Sequence, residues 1–194
     1  MNKNKLILIN GAPQVGKDTM GDYIINNVIT LIVKYKMTTP LDKIFREIFP
    51  QLSDEEFYMY RETKKDITQD IFKGKSLRQI YIELSENVIK PLFGKDYFGK
   101  YASHILNNNP VDTVITDCGF NYEIEALLSS INKDAWDIHT FTILRPGYNY
   151  SGDSREPINF KKLNVHSHNN VYNNSTLEAY LHTIQGLLKD IEYS

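Results

Sequence analysis

The 194-residue sequence lacks a second cysteine and lacks any long apolar run. Because Cys118 is alone, no internal disulfide can form, and this favours a reducing compartment. No segment approaches the roughly 20 apolar residues that a membrane span needs. The four apolar residues that follow the basic start are too few for a signal peptide. We therefore expect no membrane association and a cytoplasmic location.

An excess of charge of one sign is also missing. Lysine and arginine total 22 against 24 aspartates and glutamates, which gives a formal net charge of −2. This balance gives no strong nucleic-acid signal. A hydrophobic content of 41% and this length fit a single globular domain spanning residues 1–194. The sequence leaves open whether the chain acts alone or as a homodimer.

Short apolar runs alternate with amphipathic segments along the chain. The patterns predict strands at 5–10, 31–38, 111–117, 137–144 and within 164–172. They predict helices at 18–29, 40–48, from 53, 76–93, 96–106, 121–130 and 175–191. Ser53 with Glu56, and Ser175 with Glu178, have the spacing of capping boxes, and Pro91 is predicted to end the helix before it.

This alternation indicates an α/β fold, with a mainly parallel sheet covered by helices on both faces. Ligands bind such sheets at the carboxyl ends of the strands. A glycine-rich segment, Asp117 and Arg145 each follow a predicted strand. We therefore expect these three features to lie at one edge of the sheet.

The glycine-rich segment reads GAPQVGK and fits the G-x-x-x-x-G-K pattern of a phosphate-binding loop (P-loop, or Walker A motif). Glycines let the backbone curl around phosphate oxygens, and the loop amides and the following helix N-terminus supply positive potential. Lys17 is predicted to reach the β- and γ-phosphates of a nucleotide. The predicted nucleotide-binding residues are Gly11, Ala12, Pro13, Gln14, Val15, Gly16, Lys17, Asp18 and Thr19.

Asp18 occupies the position where such loops usually carry the Ser or Thr that binds Mg²⁺. A carboxylate can serve as well, because Mg²⁺ prefers oxygen ligands and often takes one or two carboxylates. Negative charge is also favourable in the first turn of a helix. Two roles therefore stay open for Asp18: a ligand of Mg²⁺, direct or through water, or a cap of the helix.

The segment GAPQVGKDT resembles the loop of the deoxynucleoside monophosphate kinases encoded by tailed phages. Three further segments are similar to parts of that family in the same order: YKMTTPLDKIF, LRQIYIELSENVIKPLFGKDYFGKYA and VITDCGFNYEIEAL. The resemblance covers roughly residues 5–185. It implies a three-layer P-loop kinase with a five-stranded sheet, acceptor-binding helices at about 53–107 and a lid at about 146–162. It also implies an ATP- and Mg²⁺-dependent enzyme, phage-encoded and active in the host cytoplasm.

The sequence departs from this family near the presumed acceptor pocket. Gly119 stands where the family tends to have arginine, and ELSEN (83–87) replaces a glycine-containing substrate segment. These departures leave the identity of the acceptor open.

Transfer to a nucleoside monophosphate needs charge neutralisation more than a strong base, because the acceptor phosphate is already largely dianionic. Arginine is suited to bidentate phosphate contacts. Of the five arginines, Arg78 lies on the presumed acceptor helix, and Arg145 and Arg155 flank the loop 146–154 of the presumed lid. The predicted catalytic residues are Lys17, Asp18, Arg78, Asp117, Arg145 and Arg155, and the predicted metal ligands are Asp18 and Asp117.

The resulting hypothesis is phosphorylation of a deoxynucleoside 5′-monophosphate by ATP. Two alternatives stay open. One is a related P-loop kinase that acts on a hydroxyl, in a modified DNA base or a small metabolite, with Asp18 or Asp117 as the base that such chemistry needs. The other is a nucleotide-binding protein without turnover.

Overall fold

A computed structural model of the chain describes residues 3–27 and 31–192. The chain divides into two compact units. One contains the residues up to Met37 together with those from Gly99 on, and the other is Thr38–Phe98. In the described residues, no helix combines the length and the apolar character that crossing a membrane requires.

The first unit is built on five parallel strands in the order β2-β3-β1-β4-β5. The strands are β1 (Asn4–Gly11), β2 (Val33–Tyr35), β3 (Thr113–Ile115), β4 (Trp136–Leu144) and β5 (Ser167–Tyr172). The helices are α1 (Lys17–Asn27), α6 (Tyr97–Asn108), α7 (Asn121–Ser130) and α8 (Leu177–Glu192), of which α6 begins two residues before this unit. The predicted α/β fold with a parallel sheet is confirmed.

The alternation of side chains along β1 separates two apolar cores. Leu6 and Leu8 point to one face, where they pack with residues of α6 and α7 such as Leu106. Ile7 and Ile9 point to the other face and pack with residues of α1 and α8. Because successive residues of a strand face opposite sides, an apolar run such as LILI must be buried on both faces.

The unit Thr38–Phe98 is helical and surrounds an aromatic core. Its elements are α2 (Thr39–Ile48), α3 (Asp54–Tyr58) with a π-helical turn at Met59–Thr63, a 3₁₀ turn at Asp70–Phe72, α4 (Leu77–Glu83), a π-helical segment at Leu84–Ile89 and α5 (Lys90–Phe93). The fully buried ring of Phe45 contacts Phe49 at 4.7 Å and Phe72 at 5.3 Å between ring centroids. A buried polar group lies in the same unit: the Arg61 Nε donates to Asp42 at 2.8 Å, and the Tyr81 hydroxyl donates to the same carboxylate at 2.5 Å.

The local capping predictions have different outcomes. Ser53 and Glu56 form the reciprocal capping box at the start of α3, as predicted. The second box is wrong: the hydroxyl of Thr176, one residue later than Ser175, accepts from the amide of Ala179 and caps α8. Pro91 does not end the preceding helix: the helical backbone continues through Ile89 and Lys90 to Phe93, directly after the π-helical segment. The Lys90 amide donates to Ser85 O, so the hydrogen-bond ladder is already wider next to the position where Pro91 removes an amide.

Several elements are shorter than the sequence predicted. β2 and β3 contain three residues each, inside the predicted 31–38 and 111–117. Helix α1 ends at Asn27 among the described residues, and the predicted continuation to Ile29 lies outside them.

Gly99 lets α6 approach α7, and this contact generates a prediction. A Cβ at Gly99 would lie 1.9 Å from the backbone oxygen of Glu123, whereas a Cβ at Gly186 in α8 would meet nothing within 4 Å. We expect Gly99→Ala to lower the free energy of unfolding by about 1–3 kcal/mol, the usual cost of overpacking. Gly186→Ala is the matched control and should raise it by about 0.5–1 kcal/mol, through helix propensity alone. Urea titration of both variants checks this; equal effects would contradict the close contact.

His139, in β4, generates a prediction about acid stability. Its ring is buried, Nδ1 lies 2.9 Å from the Ser167 hydroxyl, and Nε2 has no hydrogen-bond partner in the described residues. Burial, then the neighbouring His166 and Lys5, lower the pKa of His139 to about 4, and Asp137 opposes this. The unfolded chain takes up this proton near pH 6.5, so folded stability should fall as the pH drops from 6.5 to about 4, by about 3 kcal/mol. Denaturation between pH 7 and pH 4 measures the fall.

The control for this prediction is a comparison of two variants. His139→Gln should flatten the fall in stability, whereas the same change at the exposed His104 should leave it unaltered. A fall of unchanged size in His139→Gln would show that another group causes it.

Candidate functional site

The loop between β1 and α1 presents backbone amides at the carboxyl end of the sheet. Gln14 has φ +62° and Gly16 has φ +103°, so both bend the backbone through the left-handed region. In the described residues, no protein group accepts a hydrogen bond from the amides of Gln14 and Gly16. Successive amides in such a turn form a concave anion site next to the helix N-terminus.

The position of Gly16 is crowded as well as bent. A Cβ there would lie 2.9 Å from the Asn173 side-chain nitrogen and 3.2 Å from the Tyr180 ring. Asn173, after β5, donates to Val15 O at 2.8 Å, and the Tyr180 hydroxyl, on α8, donates to Gly16 O at 3.1 Å. The shape of the loop is therefore fixed by residues far away in sequence.

Lys17 is buried against its own loop. Its side chain donates from Nζ to Gly11 O at 2.7 Å and to Ala12 O at 2.6 Å, and 9% of the residue is exposed. Burial, followed by the positive charge of Arg155, lowers the pKa of Lys17 to about 8. An ammonium held this way is less stable than one in water, so an anion that approaches the loop would gain from pairing with it.

Asp18 follows at the start of α1 with an ionised carboxylate. The Thr116 hydroxyl donates to it at 2.7 Å, and the Lys34 ammonium lies 3.2 Å away. Burial acts to raise the pKa of Asp18, but the Thr116 hydroxyl and the Lys34 charge outweigh it, so the pKa lies below its ordinary value. The side chain is 67% exposed, which leaves carboxylate surface open to solvent.

Asp117 lies two residues after β3, and its carboxylate accepts from the amide of Met37 at 2.9 Å. Oxygen ligands from one or two carboxylates, together with phosphate oxygens, are the usual set for Mg²⁺. Asp18 and Asp117 fit that chemistry. The described residues contain no group of three or more His, Cys, Asp or Glu side chains that could hold a metal by itself.

Arg145 directly follows β4, and its side chain contacts the loop. Its Nη1 donates to Gln14 O at 3.2 Å, and its guanidinium carbon lies 4.7 Å from the centroid of the Tyr148 ring. Arg145 lines two cavities. One, of about 370 Å³, is lined by the loop, Asn173, Leu177 and Tyr180, and the other, of about 430 Å³, lies against Tyr148, Tyr150 and Tyr172.

Arg155 lies in the predicted lid, which contains one 3₁₀-helical turn, at Phe160–Lys162. Its Nε donates to Asp153 at 2.7 Å and its Nη2 donates to the same carboxylate at 2.5 Å. Its aliphatic chain covers Gly119, where a Cβ would lie 2.7 Å from the Arg155 Cγ. Arg155 thus fills the space beside Gly119 that a side chain at position 119 would need.

The structure places five of the six predicted catalytic residues at one edge of the sheet: Lys17, Asp18, Asp117, Arg145 and Arg155. Arg78 belongs to the other unit. There it forms an ion pair with Asp66, whose pKa it lowers.

Sequence reasoning missed the residues that hold the site in shape: Asn10, Lys34, Thr116, Tyr150, Asp153, Asn173 and Tyr180. One of them carried a signal, because Asn10 interrupts an apolar strand immediately before the loop, and a polar residue there must find buried partners. The others lie in segments with no pattern that relates them to the loop.

Comparison with known proteins finds no matching protein-family model and no matching curated protein. The class that can be stated for this chain is therefore an α/β protein with a five-stranded parallel sheet and a G-x-x-x-x-G-K loop at its carboxyl edge.

Proposed function

We propose that this protein is an ATP- and Mg²⁺-dependent P-loop kinase, of the type its loop resembles, that phosphorylates a deoxynucleoside 5′-monophosphate. The observation that carries the proposal is that one loop contains both the buried Lys17 ammonium and the backbone amides of Gln14 and Gly16, which have no acceptor among the described residues. Such a combination of backbone amides, a helix N-terminus and a lysine binds the polyphosphate tail of a nucleotide.

The charged residues then have distinct roles. Lys17 neutralises the β- and γ-phosphates. To do so, its Nζ exchanges its hydrogen bonds to Gly11 O and Ala12 O for bonds to phosphate oxygens. Arg145 covers the donor side of the loop. Arg155 lies close enough for its charge to affect Lys17, and its Nη1 is the guanidinium nitrogen not engaged by Asp153. We assign it to the transferred phosphoryl group, whose charge must be neutralised in transit.

Asp18 and Asp117 would hold the Mg²⁺ ion, directly or through water. When bound, the ion supplies positive charge to the β- and γ-oxygens. The low pKa of Asp18 suits a ligand, which must be ionised, and makes Asp18 a weak base. A hydroxyl acceptor needs a base, whereas a phosphate acceptor does not. The lowered pKa of Asp18 therefore supports a monophosphate as the acceptor.

An acceptor screen tests the reaction. The protein is incubated with γ-labelled ATP, Mg²⁺ and each deoxynucleoside monophosphate in turn, and with hydroxymethylated DNA. Label in a deoxynucleoside diphosphate is the expected result. Label on a hydroxyl alone would establish the alternative acceptor, and ATP binding without acceptor-dependent ADP release would establish a nucleotide-binding protein without turnover.

Removal of the Lys17 ammonium should abolish transfer. We expect Lys17→Ala to lower kcat by about 100-fold or more, as loss of a charged transition-state contact does. Lys189→Ala, at an exposed position in the last turn of α8, is the control and should keep the wild-type rate. Circular dichroism checks that both variants are folded, and a folded Lys17→Ala variant with a near-normal rate would contradict the donor site.

The low pKa of Lys17 also makes nucleotide binding dependent on pH. ATP binds the charged form, and without nucleotide that form is lost as the pH rises through about 8. The Kd for ATP should therefore rise about tenfold between pH 7 and pH 9. Calorimetry measures it. Lys17→Ala should show no such rise, and a flat profile in the wild type would show that Lys17 does not meet the phosphates.

Substitutions at Asp18 separate a metal ligand from a base. Asp18→Ser should retain activity within about tenfold, because a hydroxyl at this loop position also binds Mg²⁺. Asp18→Ala should lose most of it. Asp22→Ser is the matched control, since Asp22 pairs with the same Lys34 ammonium at 2.8 Å, and it should leave the rate unchanged. Complete loss in Asp18→Ser would indicate a base, and equal effects at Asp18 and Asp22 would indicate a purely structural ion pair.

A further inference from the structure

Asn10, the residue before Gly11 at the end of β1, has every hydrogen-bonding position of its buried amide engaged. Its Nδ2 donates to Cys118 O at 2.8 Å and to Glu156 O at 3.3 Å. Its Oδ1 accepts from the Tyr150 hydroxyl at 3.0 Å and from the Ile158 amide at 3.1 Å. A side-chain amide offers two donors and two acceptor positions, so Asn10 is fully satisfied at 0% exposure.

Three of these partners belong to one segment and lie on both sides of Arg155. Tyr150 precedes it, and Glu156 and Ile158 follow it. Burial raises the pKa of Tyr150 to about 12, so the hydroxyl stays protonated and remains a donor to Asn10. One side chain therefore fixes both ends of the stretch 150–158, which contains the Asp153–Arg155 ion pair.

The fourth partner of Asn10 is the carbonyl of Cys118, the residue before Gly119. The aliphatic chain of Arg155 packs on Gly119, and the amide of Glu156 donates to Gly119 O at 2.9 Å. Asn10 also precedes Gly11, whose carbonyl accepts from the Lys17 ammonium. The same residue is thus bonded to the segment of Arg155 and adjoins the loop of Lys17.

We propose that Asn10 is a positioning residue that holds the Arg155 guanidinium next to the phosphate loop, and so acts on phosphoryl transfer through Arg155. The proposal rests on the proposed kinase function. Asn10 contacts neither Lys17 nor Arg155 by a side-chain hydrogen bond, so its effect must pass through the segment 150–158. Misplacement of a catalytic group by about 1 Å can cost on the order of 100-fold in rate.

A double-mutant cycle tests whether the effect passes through Arg155. Asn10→Leu removes all four hydrogen bonds without adding charge, and we expect kcat to fall about 10- to 100-fold, with the Kd for ATP within about threefold of the wild-type value. In an Arg155→Ala background the same substitution should have little further effect on kcat, because residues that act through one another are not additive. Additive losses would overturn the proposal.

Tyr150→Phe serves if Asn10→Leu does not fold, because it removes a single hydroxyl and keeps the ring. It should lower kcat about three- to tenfold, again with no effect in the Arg155→Ala background. The control is Asn107→Leu. Asn107 also links two segments, donating to Ser130 O at 2.9 Å and accepting from the Asn132 amide at 2.9 Å. That variant should lower the Tm and leave kcat unchanged.

A second measurement needs no turnover. Asn10 bonds to Tyr150, Glu156 and Ile158, so loss of these bonds should loosen the segment 150–158 and expose the peptide bond after Arg155 to trypsin. Cleavage after Arg155, followed by mass spectrometry, should be faster in Asn10→Leu and Tyr150→Phe than in the wild type and unchanged in Asn107→Leu. If no acceptor is phosphorylated, the kinase proposal fails while the cleavage rate still decides whether Asn10 holds Arg155 in place. Unchanged cleavage in both site variants would overturn that role.

Discussion

The parallel pairing of β1 with β3 on one side and β4 on the other is the constraint on which the site depends. Leu8 lies beside Ile115 in β3 and beside Thr140 in β4, so the three strands run to the same edge in register. Gly11 is the last residue of β1, and Asp117 and Arg145 follow β3 and β4, so the three lie at that edge. The two apolar cores hold this register in place, because a slip of one residue would turn every buried side chain of β1 to the opposite face.

At that edge the charges are balanced within the protein. Lys17 donates hydrogen bonds to two backbone carbonyls, Arg155 is paired with Asp153, and Asp18 accepts from Thr116 and lies beside the Lys34 ammonium. Lys17 is buried and the Arg155 side chain is 27% exposed, so an unpaired charge on either would cost free energy. A bound polyphosphate would exchange some of these internal partners for phosphate oxygens. Under the proposed function, these internal pairs would keep the charged residues stable while no anion is bound.

The prediction of the fold from sequence succeeded where a local pattern was strong and failed where distant contacts decided. The strand that ends at Gly11, the helix that follows the loop and the Ser53 capping box each depend on a local pattern, and each is found as predicted. The ends of β2 and β3 were misplaced because strand length depends on pairing with a neighbour, which no single segment encodes. Thr176, not Ser175, caps α8, and since both residues offer a hydroxyl, the local pattern did not decide between them.

For the candidate site, the sequence alone determined the loop, its lysine and the carboxylate beside it, because these act through consecutive residues on one turn of backbone. It also placed Asp117 and Arg145 at strand ends. Tertiary structure alone decided which residues surround them. Asn10 meets Tyr150 and Ile158, and Arg155 crosses Gly119, across more than 30 positions of chain in each case, through hydrogen bonds and close contacts that exist only once the strands are ordered.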